Sequence, residues 1–85
     1  MEVEKGEIIT LSDGIEYVCL SIILSEDNKK YLYLMSTSKP LKICFAEETI
    51  LGDTIQMRIV GDKNENRKIF NLLKTQVQNN SNRDL

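Results

Sequence analysis

The chain has 85 residues, 13 Asp and Glu against 11 Lys and Arg, 41% apolar side chains and no histidine. That length makes one small domain, the apolar fraction is too high for a disordered chain, and the charge balance lacks the basic excess usual in domains built around nucleic-acid phosphates. Without histidine, and with two cysteines that have no partner motif nearby, the chain lacks most sequence-readable routes to acid–base catalysis, thiol activation and transition-metal binding.

In chain order, the charged start Met1-Glu2-Val3-Glu4-Lys5 has no apolar core of a secretory leader. No apolar run approaches the roughly 20 residues of a membrane helix. A cytoplasmic protein is expected, with Cys19 and Cys44 as reduced core thiols. Residues 8–11 are β-prone, and Asp13-Gly14 ahead of a second β-prone run is a hairpin signal. The second strand, 15–24, is assigned with Val18, Leu20, Ile22 and Leu24 toward the core and its odd positions on a partly covered face.

Residues 25–30 form a polar turn in which Asp27 and Asn28 tolerate left-handed φ. The third strand, 31–35, is read with Leu32 and Leu34 inward and Tyr31 and Tyr33 half-exposed. Residues 36–40 break the pattern around Pro40, the only proline. A fourth strand follows at 41–46, where Leu41, Ile43 and Phe45 alternate with Lys42 and Cys44. Residues 47–53 are expected as a short irregular connection. The clearest two-residue alternation is in 55–60, where Ile55, Met57 and Ile59 alternate with Gln56 and Arg58.

From Asp62 the rhythm changes. Ile69, Phe70, Leu72, Leu73 and Val77 fall on one helical stripe, and Asp62 with Glu65 has the form of a capping pair, with Asn64 or Asn66 equally placed to be the cap. The helix is expected to end near Asn79-Asn80. The domain is taken as residues 1–79, with 80–85 a polar disordered tail.

The motifs that could carry chemistry are weak. Asp62-Lys63-Asn64-Glu65-Asn66 opens like a calcium loop, but Arg67 stands where a glycine is needed and Leu73 where a bidentate Glu is needed, so a turn and helix cap fits better. Asp13, Asp27, Asp53 and Asp62 lie in turns, and no spacing pairs two carboxylates in a cleft. The sequon Asn79-Asn80-Ser81 has no meaning without a secretory route. No cofactor, metal or catalytic residue is assigned, and the chain is read as not an enzyme. The leading candidate interaction surface is Tyr31 and Tyr33 with Lys29, Lys30, Lys39 and Lys42, because aromatic rings on a sheet flanked by cations can stack single-stranded bases; a second is the strip Arg67, Lys68 and Lys74 on the helix, read as a solvated face. The alternative is that the tyrosines cover the second sheet face and the lysines solvate loop ends.

The segments Ile8-Ile9-Thr10-Leu11-Ser12-Asp13-Gly14, Asp27 followed by Tyr31-Leu32-Tyr33-Leu34, and Arg58-Ile59-Val60-Gly61-Asp62 before a terminal amphipathic helix resemble the YrzB-like small bacterial proteins, whose function is unknown. The resemblance runs from about Gly6 to Gln76. It implies a fold and no defined activity, and it carries over no functional residue.

The expected fold is α+β: an antiparallel meander sheet of four or five strands with the C-terminal amphipathic helix packed on one face. Its core is expected from Leu20, Ile22, Leu32, Leu34, Ile43, Phe45, Ile55, Met57, Ile59, Phe70, Leu73 and Val77. The expected role is a non-catalytic protein-interaction or regulatory module, with an unknown protein partner or self-association through an edge strand. A weak single-stranded nucleic-acid binder is the alternative.

Overall fold

Alternating apolar residues up to Ile59 build strands, and the three-to-four spacing after it builds a helix. In the computed structural model, which describes residues 2–83 and their side chains through Gln76, the strands are β1 (Ile8–Thr10), β2 (Glu16–Leu24), β3 (Lys30–Ser36), β4 (Ile43–Leu51) and β5 (Thr54–Ile59), followed by α1 (Lys63–Arg83). All neighbours are antiparallel and the spatial order is β1-β2-β3-β4-β5. The fold is therefore an α+β meander with one helix. The helix runs past Asn79-Asn80 to Arg83, so residues 80–83 of the expected tail continue it. The side chain of Val77 and residues 84–85 lie outside the described residues.

The turns follow from residue chemistry. Gly14 takes φ +79°, its N–H donates to the Leu11 carbonyl, and Asp13 Oδ1 accepts from the Ile15 N–H at 2.9 Å. Asn28 takes φ +64° at the β2–β3 tip. Leu51 and Thr54 close the β4–β5 hairpin around two residues, and Gly52 at φ +62° supplies the left-handed first position such a loop demands. At the helix start, Asp62 Oδ2 accepts from the Glu65 N–H at 2.8 Å, the capping contact its spacing suggested.

Both faces of the sheet are covered, by different means. One face buries Tyr17, Cys19, Leu32, Leu34 and Ala46 under Val3 and Leu11. The other buries Ile23, Tyr31 and Phe45 beneath Val60 and the helix residues Ile69 and Leu73. Val3 precedes β1, yet its N–H faces the Glu48 carboxylate of β4 at 3.4 Å, and its carbonyl accepts from Lys30 Nζ at 3.1 Å. The N-terminal segment is thus a strap across the first face.

Five expectations change. The faces of β2 do not keep one parity. A bulge between Cys19 and Ser21 shifts the register, so Tyr17 and Cys19 share a face with Ile22, while Ile23 turns to the helix. Leu24 is exposed rather than core. Residues 47–51 are not irregular; they complete β4, because Glu47 and Glu48 point to opposite faces and each meets a cross-strand cation, Arg58 and Lys30. Tyr31 is buried rather than half-exposed, since the helix lands on it. Of the expected core, Ile43, Ile59 and Phe70 are exposed, and Leu20, Ile22, Ile55 and Met57 are only half-buried.

Candidate functional site

The six residues proposed as one interaction surface are not brought together. The Tyr31 ring is buried, and its hydroxyl donates to Glu65 Oε2 at 3.3 Å. Tyr33 is half-buried against Phe45, with ring centroids 5.2 Å apart and planes tilted by 33°. Lys30 neighbours Tyr31 in sequence but points to the opposite face, where its ammonium meets Glu48 at 3.1 Å. Lys29 is exposed at the β2–β3 tip. Lys39 and Lys42 are exposed in the β3–β4 connection at the other end of the strand. Base stacking on Tyr31 has no open ring to use.

At the tip end of the helix face lies a cleft of about 500 Å³ between the first turns of α1 and the β2–β3 hairpin, with Asp27, Lys29, Tyr31, Arg58 and Glu65 among its walls. Its Lys29 and Arg58 each pair with carboxylates. Arg58 reaches Glu47 at 2.6 Å and Glu65 at 2.8 Å. Those two carboxylates push the Arg58 guanidinium upward in pKa, and the same guanidinium holds the Glu65 carboxyl below its usual range. Burial, helped by the neighbouring carboxylates, raises the Tyr31 phenol. A carboxylate held low and a phenol held high are both poorly matched to proton transfer near neutrality. Asp62, the first residue of the calcium-loop-like segment, is engaged in capping, and Asn66 Nδ2 donates to the Val60 carbonyl.

The thiols are equally quiet. Cys19 is buried, Cys44 is half-buried, both are free, and burial is the main cause raising both pKa values. Among the described residues, no three His, Cys, Asp or Glu side chains converge as a metal site.

The remaining feature is apolar. On the helix face, Ile8 stands opposite Val18, Val18 opposite Met35, and Met35 opposite Ile43. Four adjacent strands thus present one in-register apolar row. Ile8 and Ile43 at its ends are each 58% exposed, and Val18 and Met35 are half-buried. The helix covers the other end of this face, over Ile23 and Tyr31. Lys68 and Leu72 border the hairpin tip, and Phe70, on the opposite flank of the helix by helical spacing, is 50% exposed. Leu41, 66% exposed, precedes Ile43 in the adjoining loop.

Sequence reasoning missed this row although each member lay in an expected strand. The signal would have been the pairing register, which hydrophobic alternation alone does not supply. The Glu47–Arg58–Glu65 group was also missed; only the wet alternation of Arg58 hinted at it.

Comparison with protein-family models, with curated proteins and with solved structures gives no match to this chain.

Proposed function

We propose that the chain is a non-catalytic protein-interaction module that buries the open apolar row of its sheet against a protein partner. The supporting observation is the row itself. Ile8, Val18, Met35 and Ile43 lie side by side on four strands, and Leu41, two residues before Ile43, and Phe70 of the helix are exposed as well. Contiguous exposed apolar surface of this kind marks interaction sites more often than isolated surface leucines or isoleucines do. A cytoplasmic setting and kinship with the YrzB-like bacterial proteins belong to the same proposal.

A photo-reactive amino acid placed at Met35 tests it in the cell that makes the protein. A discrete protein adduct at Met35, absent with the same probe at exposed Lys63 and abolished by Ile43→Lys, is the expected result. Indistinguishable adducts at the two positions overturn the reading. So does a turnover that persists when the row is changed and disappears when Glu65 is changed to Gln.

A further inference from the structure

The two edges of the sheet differ. β1 offers three residues, Ile8–Thr10, whereas β5 offers six, Thr54–Ile59. The ladder between β4 and β5 fixes which backbone groups of β5 face outward. The Val60 N–H donates to the Phe45 carbonyl at 2.9 Å, and the register continues through Ile59 opposite Ala46 and Arg58 opposite Glu47. Residues 54, 56, 58 and 60 therefore exchange bonds with β4, and the N–H and C=O of Ile55, Met57 and Ile59 point away from the sheet. No side chain or loop of the described residues bonds those six groups.

The devices that usually blunt an edge are missing. β5 contains no proline and no bulge, and no lysine lies along it. Its one charged side chain, Arg58, lies on the helix face, where Glu47 and Glu65 hold it. On the other face Ile55, Met57 and Ile59 form an apolar ridge, with Ile55 and Met57 half-buried and Ile59 exposed.

We propose that β5 pairs antiparallel with β5 of a second copy, about a two-fold axis through Met57, to make a continuous ten-stranded sheet. The register follows from symmetry. When Met57 faces Met57 of the other copy, Ile55 faces Ile59 and Ile59 faces Ile55. All three outward N–H groups of each strand then meet outward carbonyls, giving six backbone hydrogen bonds. The apolar ridges meet along their length. Arg58 falls opposite Gln56 of the other copy, so no like charges oppose each other. A two-fold interface requires the same patch to complement itself, and the sequence Ile55-Gln56-Met57-Arg58-Ile59 does so about its centre. The apolar row of the proposed function lies on the opposite face and ends at Ile43 of β4, so the two surfaces can be tested separately.

Sedimentation of the full chain across micromolar to millimolar concentration, with amide exchange read residue by residue, tests the pairing. The expected result is a species of twice the 9.8 kDa monomer mass. The amides of Ile55, Met57 and Ile59 gain at least tenfold protection as concentration rises, while those of Gln56 and Arg58 are protected throughout. Mixed isotope labelling then shows a contact between the α-protons of Gln56 and Arg58 on different copies. Met57→Pro removes an outward N–H and leaves the β4 ladder intact, so it abolishes the dimer and retains the monomer's circular dichroism. Met57→Lys sets two ammonium groups face to face and weakens the dimer at least tenfold, which covers the case in which the proline variant fails to fold. A monomer at every concentration overturns the proposal. A dimer whose residue 55, 57 and 59 amides exchange freely overturns it as well.

Discussion

The two ends of the helix face differ in one respect, which is whether α1 lies over them. At the tip end, Ile23, Tyr31 and Phe45 are buried under Ile69 and Leu73. At the other end, Ile8, Val18, Met35 and Ile43 present equally apolar side chains and keep much of their surface. Geometry explains the difference. A helix is roughly 10–12 Å across with its side chains, whereas nine-residue strands such as β2 and β4 run about 30 Å. One helix laid across the strands can cover roughly a third of their length. The first face needs no helix, because the N-terminal strap and the β1–β2 hairpin close it. Burial in this chain is thus set by which segment lands where, and not by hydrophobicity alone.

The contrast breaks most sharply at Ile69, which is 1% exposed. Ile69→Ala should cost about 2–4 kcal/mol in urea unfolding, through lost burial and the cavity left under the helix. A loss below about 1 kcal/mol would mean the helix is not docked on this end. Glu48→Gln comes next. Glu48 is 6% exposed and joins Lys30 to the strap, so the change should cost about 1–3 kcal/mol, most of it from leaving Lys30 without its carboxylate.

Tyr17→Phe sharpens the comparison between the two faces through pH. Burial, together with the hydrogen bond to Asp13, raises the Tyr17 phenol to about 12. In the unfolded chain a tyrosine ionises near pH 10. Between those values the unfolded chain has lost its proton and the folded one has kept it, so stability is complete below pH 10 and falls as pH rises toward about 12. Asp13 behaves oppositely: its folded pKa is lowered, chiefly by the Ile15 N–H, so its contribution is present above the ordinary carboxylate pKa and fades in acid. Stability profiles of the wild type and Tyr17→Phe should converge as pH climbs through this alkaline window. Parallel profiles would show that Tyr17 does not carry the effect. The smallest effect is expected at the open end. Ile43→Ser should shift stability by no more than about 0.5 kcal/mol while reducing the binding of a hydrophobic dye, and a larger loss would mean the row is buried in solution.

Much of the fold was legible from spacing. The Asp13-Gly14 and Asp27-Asn28 turns, the alternation in 55–60 and the stripe through Ile69 and Leu73 each rest on neighbours within a few residues. What was not legible depends on partners far along the chain. The bulge at Leu20 is hidden because residues 18–24 are apolar on both parities apart from Ser21. The second half of β4 carries Glu47, Glu48 and Thr49, and looks like a loop until Lys30 and Arg58 are placed opposite. Tyr31 looked like a surface aromatic because nothing local says where the helix will rest. The candidate row shares that blind spot: Ile43 was assigned to the core on its alternation, correctly for a strand and wrongly for the uncovered end.

The strap also orders events in time. Val3 lies 45 positions before the Glu48 carboxylate that its N–H faces. Ribosomes add roughly 5–20 residues per second, so Val3 waits about two to ten seconds after its own synthesis before that carboxylate has been made. Until then the strap lacks that anchor, and a nascent chain stalled before β4 would present the unpaired edge of β3 to the cell's chaperones.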